Sequence, residues 1–308
     1  MRHYSKEPQQ RFFTVRNGAR VRCLVWPNPK SEKAIVLCSG WVTPPELWRQ
    51  VARRFSSHAT IIVPENLGHG DTTLGRTSPR TYMVDCAQAF IDIMNALHIK
   101  SAYFFSHSMA GQIVKHIFEA EPDRVNSAIF VCTPLLDPLV SWYFGNSLPV
   151  RFSANTLAFY AELFPGIFDA LKSVGLKSGA IDELAAGRTF DFLQAIGVTE
   201  RNITFFVDYL QRTSARAIAV SYLAMRKEGN HRDQLPRISR PSLYIAGGRD
   251  WVVQPRMLEG IAQDQGARFS VIEEGSHTPY ATHLKDFLRV VTPFLREVGA
   301  MNEVSSAA

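Results

Sequence analysis

Phe104-Phe105-Ser106-His107-Ser108-Met109-Ala110-Gly111 runs from an apolar, strand-like segment into a helix-like one through small residues. A serine displayed on a sharp strand-to-helix turn needs this arrangement. The backbone reverses so tightly that the residues two before and two after the serine must be small. The usual pattern is G-x-S-x-G. Here Ser106 and Ala110 take the two glycine positions, and Gly111 follows at once. The stretch predicts a strand, an elbow and a helix, with Ser108 at the tip.

Working outward, Phe12–Val15 and Val21–Trp26 flank Asn17-Gly18, a pair that tolerates the positive φ angles of a tight hairpin. Ala34–Cys38, Thr60–Pro64, Ala102–Phe105 and Ser127–Cys132 are short apolar runs bounded by polar or turn residues. Such runs suit parallel strands covered on both faces. Between them, Tyr82–Leu97 and Gln112–Glu119 space their apolar residues by three and four, as helices do. Late in the chain, Ser242–Ala246 and Phe269–Ile272 read as strands, Arg256–Gln263 as a helix between them, and Leu284–Val298 as a closing helix. Strand-helix alternation predicts an α/β fold: a mostly parallel central sheet with helices on both faces.

Residues 134–236 break the alternation. They have helical periodicity, little strand character, and 13 of the chain's 34 aromatics between Trp142 and Tyr209. We read them as a helical cap inserted into a core made of residues 1–133 and 237–308. The density of rings predicts that part of the cap lines an apolar pocket, with Trp142, Tyr143 and Phe144 as candidates and His107 beside the elbow.

Two further residues complete a constellation. Asp250 follows the strand Ser242–Ala246 through Gly247-Gly248-Arg249. His277 lies in the loop after the next strand. Open parallel sheets gather their sites along the carboxyl edge, where all three residues fall. The order along the chain is Ser, Asp, His.

That order and those contexts resemble the α/β-hydrolase fold over roughly residues 12–298, the cap excepted. Ser39-Gly40-Trp41 is placed like the family's His-Gly-x oxyanion loop, with Ser39 departing from the histidine. Gly68-His69-Gly70 is placed like its G-H-G turn, and Trp48 where a tryptophan often follows the oxyanion loop. The resemblance implies Ser108 as nucleophile, His277 as base and Asp250 as its orienting acid. It implies oxyanion donors at the backbone N–H groups of Trp41 and Met109, and no metal or organic cofactor. His69 and His283 are read as structural, the latter at a helix start.

The expected activity is hydrolysis of a carboxylic ester or thioester of a hydrophobic or aromatic small molecule through an acyl-enzyme. Amide, lactone and C–C cleavage stay open. Cofactor-independent dioxygenases of quinolone-type rings share Gly40-Trp41 and Ser106-His107-Ser108, but take their acid from an earlier strand end. Here that end reads Val131-Cys132-Thr133. A lyase using the same His-Asp pair and a ligand receptor with slow turnover also fit this constellation.

Bulk properties set the remaining expectations. Hydrophobic residues make up 46% of the 308 and charged residues 20%, as in a globular protein. The formal charge of +6 comes from scattered residues with no basic run, so no nucleic-acid partner is expected. The four cysteines, Cys23, Cys38, Cys86 and Cys132, show no zinc spacing, and reduced thiols fit a cytoplasmic address. No signal-like or membrane-spanning stretch is read. A homodimer stays open.

Overall fold

A computed structural model describes residues 7–133, 135–136, 148–177, 203–227 and 237–301. Eight strands form one sheet in the order β1-β2-β4-β3-β5-β6-β7-β8. They are β1 (Gln9–Thr14), β2 (Arg20–Trp26), β3 (Ala34–Cys38), β4 (Thr60–Pro64), β5 (Ala102–His107), β6 (Val125–Val131), β7 (Ser242–Gly247) and β8 (Arg268–Ile272). The hairpin β1–β2 is antiparallel, β2 runs antiparallel to β4, and every pairing from β4 onward is parallel. Gly18, in the hairpin turn, has φ 82°.

The two faces follow from the period of two along each strand. Val36 and Cys38 of β3, Phe104 of β5 and Phe130 of β6 enter one core layer. Ile35 and Leu37, Phe105, and Ile129 and Val131 enter the other. Helices α1 (Arg49–Phe55), α2 (Tyr82–Ala96) and α3 (Ala110–Ala120) connect successive strands. α2 and α3 pack on the first layer, and α1 on the second.

This arrangement positions the site. The chain leaves β3 toward β4 through α1 on one face, then crosses to β5 on β3's other side. It leaves β5 through α3 on the opposite face. Strands β3 and β5 are neighbours whose following helices diverge, which opens a crevice at their carboxyl ends.

Within residues 134–236, the described segments are helical: α4 (Leu148–Leu163), α5 (Pro165–Lys177), α6 (Ile203–Arg212) and α7 (Ala215–Met225). α7 packs against α2 of the core as well as against α4 and α5. Ser214 caps α7, its hydroxyl accepting the Ala217 N–H at 3.1 Å. Trp142, Tyr143 and Phe144 lie outside the described residues. The chain closes with α8 (Pro255–Gln265), the short α9 (Pro279–Thr282) and α10 (Leu284–Glu297). His283 is the residue that starts α10. No described helix is long and apolar enough to cross a membrane.

Candidate active site

Ser108 sits between the last residue of β5 and the first of α3, with φ 51°. A non-glycine residue held in the left-handed region is strained, so its surroundings must impose it. The Ser108 N–H donates to Val131 O at 3.0 Å, and Ser108 O accepts the Gly111 N–H at 3.1 Å. Ser106 is fully buried, its hydroxyl on Ile129 O at 3.3 Å, and Ala110 is fully buried as well. The tightest requirement falls one residue beyond the expected positions. A Cβ on Gly111 would lie 1.9 Å from Thr133 Cγ2, so only glycine lets α3 start against the end of β6. Ser108 itself is partly exposed.

Asp250 and His277 meet at the ends of β7 and β8. Gly247 permits this: a Cβ there would lie 2.2 Å from Ser276 O, so the loop carrying the histidine closes directly over it. Asp250 Oδ1 accepts the N–H groups of Val252 at 2.7 Å and Val253 at 3.0 Å. Its Oδ2 lies 2.8 Å from His277 Nδ1. A carboxylate so oriented holds the proton on Nδ1 and leaves Nε2 as the basic nitrogen. Among the described residues, the Ser108 hydroxyl makes no hydrogen bond to His277. The contact that a base at His277 would need from its acid is therefore made, while none links the imidazole to the Ser108 hydroxyl.

The expected oxyanion loop lies against the elbow. A Cβ on Gly40 would be 3.1 Å from Ser108 Cβ and 2.7 Å from His107 Nδ1. Met109 is the N-terminal cap of α3, where a helix leaves N–H groups without intrahelical acceptors. The indole of Trp41 donates to Ser221 Oγ on α7 at 2.9 Å and packs 6.0 Å from the Tyr222 ring. One side chain thus joins the loop to α7.

His107 does not line a pocket surface. It is 1% exposed, and its ring packs 4.8 Å from the His277 ring. Burial lowers its pKa well below the ordinary range, so it is neutral. Its Nε2–H donates to the His277 carbonyl at 2.9 Å. It therefore reaches the site through the loop that carries His277. His69 is also buried, on Leu67 O at 3.1 Å, with Tyr82 beside it. Trp48 stacks on Tyr280 at 3.6 Å, behind the His277 loop.

All four cysteines are buried and free of disulfides. Cys132 is more than a small core residue. It directly follows β6 with φ 49°, and its Sγ, an Asp250 oxygen and a His277 nitrogen lie within 4.8 Å of one another. Burial raises the thiol pKa well above the usual range, so the thiol beside the pair is protonated. At the strand end where a ring dioxygenase carries its acid, this chain has that neutral thiol. The carboxylate on His277 comes from the later strand.

Some contributors were not singled out from the sequence. Asn66, two residues before the Gly68-His69-Gly70 turn, is fully buried and donates to the carbonyls of Ser39 and Gly40. A polar pair, Glu65-Asn66, at the exit of an apolar strand was its one visible signal. Ser221 and Cys132 gave none, because their roles depend on elements far away in sequence. Around α4 and α5, Ser153, Leu157, Tyr160, Phe164, Ile167 and Phe168 line an open apolar groove of about 460 Å³.

The family model described as the alpha/beta hydrolase fold matches residues 33–284. A pimeloyl-[acyl-carrier protein] methyl ester esterase of Neisseria meningitidis is 23% identical over 280 residues, covering 88% of this chain and 96% of its own. Esterase YbfF of Escherichia coli is 22% identical, covering 90% of this chain and 98% of its own. Among solved structures, the enol-lactonase from Burkholderia xenovorans superposes with a TM-score of 0.71 at 20% identity. That match covers 93% of this chain and all of the other.

Proposed function

The chain belongs to the alpha/beta hydrolase fold family, and from that premise we propose that it is a serine hydrolase acting on a carboxylic ester or thioester of a hydrophobic small molecule. The observation that carries the reading is the strained Ser108 elbow at the same sheet edge as a His277 ring oriented by Asp250 at 2.8 Å. Esterase relatives of similar length support the ester as the bond cleaved. The aromatic cap, residues 134–236, supports an apolar substrate.

In this mechanism Ser108 Oγ attacks the carbonyl carbon while His277 Nε2 takes its proton. Asp250 holds the imidazole in the required tautomer and stabilises the cation that forms. The carbonyl oxygen gains negative charge, received by the N–H groups of Met109 and Trp41. The protonated His277 then gives its proton to the leaving group. Water, deprotonated by the same nitrogen, hydrolyses the acyl-enzyme. Fluorophosphonate labelling tests the nucleophile. Wild type is expected to label and Ser108→Ala not to; equal labelling of the two would sink the assignment.

A further inference from the structure

We propose that Asn66 is a positioning residue for the oxyanion: its side-chain amide turns the Gly40–Trp41 peptide so that the N–H faces Ser108. The inference rests on the serine-hydrolase reading above.

The sheet order supplies the geometry. β3 lies between β4 and β5. Asn66 stands two residues past β4 and Ser108 one residue past β5, so they flank the loop after β3 from opposite sides. Asn66 Nδ2 donates to Ser39 O at 3.0 Å and to Gly40 O at 3.2 Å. Gly40 O also accepts the Thr43 N–H at 3.3 Å. Both peptides are trans, and a trans peptide points its N–H opposite to its C=O. Carbonyls held toward the β4 flank therefore turn the N–H groups of Gly40 and Trp41 toward the β5 flank, where Ser108 sits. The loop is close enough for this to act, as the 3.1 Å approach of a Gly40 Cβ to Ser108 Cβ shows.

The residue type fits the task. An amide offers two N–H groups, one for each carbonyl, and carries no charge into a buried site. Asn66 is fully buried, and its Oδ1 has no partner among the described residues. A buried acceptor left unpaired is unfavourable, so the two donated bonds are what the amide contributes here.

The test uses the full chain and needs no knowledge of the natural substrate. The rate of Ser108 labelling by an alkyl fluorophosphonate is measured at several reagent concentrations for wild type, Asn66→Leu and Asn66→Asp. Asn66→Asp keeps the shape and loses the amide donors, so it carries the test if Asn66→Leu does not fold. The maximal labelling rate is expected to fall by about 10- to 100-fold with the half-saturating concentration nearly unchanged. Inhibition by a trifluoromethyl ketone, which forms a tetrahedral oxyanion on the serine, weakens by a similar factor. The loss is smaller than the roughly 100- to 1,000-fold of deleting a donor, because the peptide N–H survives but is no longer aimed. A folded variant whose maximal rate stays within about twofold of wild type overturns the role of Asn66. So does a loss confined to the half-saturating concentration. Failure of wild type to label at Ser108 overturns the nucleophile reading instead, and is a separate result.

Discussion

The elbow and the cap groove use similar apolar residues to opposite ends. Phe104 and Phe105 in β5 are fully buried, each in a different core layer. Along α4, α5 and the residue between them, Leu157 is 60% exposed, Tyr160 50%, Phe164 51% and Ile167 60%. Where rings are buried on both sides, the backbone between them can be held in a strained state such as Ser108 at φ 51°. Where they face outward, they fix little backbone and leave a surface able to meet another apolar body. The comparison sets a rigid, buried turn against an exposed apolar surface, which the proposed function would use for chemistry and for apolar recognition respectively.

The largest break in that comparison is on the rigid side. Asp250→Asn keeps the shape of the acid but favours the wrong imidazole tautomer. The turnover rate on a p-nitrophenyl ester should fall by on the order of 10,000-fold, with thermal stability little changed. A loss below about tenfold would mean that Asp250 does not orient the base.

Acid should weaken the interior before it touches the groove. Burial lowers the His69 pKa to about 4, against about 6.5 in an unfolded chain. Between those values the unfolded chain binds a proton at this site and the folded chain does not. Stability is therefore full above pH 6.5 and drains as pH falls toward 4, by on the order of 3 kcal/mol for this one ring. Denaturant titrations from pH 7 to pH 4 measure the slope. It should flatten in His69→Gln, and an unchanged slope would exclude His69 as the source.

Gly111→Ala probes the elbow by crowding. The new methyl would enter Thr133, so unfolding should come easier by about 1–3 kcal/mol. Ester turnover should fall as well, because the Ser108 backbone must shift. A variant as stable and active as wild type would show that the end of β6 yields freely.

The smallest stability effect belongs to the groove. Leu157→Ser and Ile167→Ser change exposed side chains, so unfolding free energy should move by less than about 0.5 kcal/mol. If the groove receives the apolar part of the substrate, KM should rise for long-chain esters and stay fixed for acetate. Equal KM changes for both esters would separate the groove from substrate binding.

The strands, the helices between them and the three residues at the carboxyl edge were legible because each rests on local pattern. Apolar runs of strand length, helical spacing and small residues around Ser108 all act within a few positions. Local pattern put the small-residue requirement of the elbow at Ser106 and Ala110, while the structure places the strictest demand at Gly111. That demand comes from Thr133, a contact across to β6 that no local pattern contains. His107 was expected near substrate, yet burial and its bond to the His277 carbonyl give it a place behind the loop. Trp142, Tyr143 and Phe144 fall outside the described residues.

Chain order and local chemistry were enough to single out Ser108, Asp250 and His277 as candidates and to expect them on one edge of a parallel sheet, where the structure has them. Only the folded chain decided what surrounds them. It put the Cys132 thiol against the His277–Asp250 pair, Ser221 of α7 on the Trp41 indole, and the Asn66 amide on the carbonyls of Ser39 and Gly40. The physical reason is range. Propensity and periodicity act along the chain, whereas a hydrogen bond over about 3 Å depends on which strands the sheet order makes neighbours.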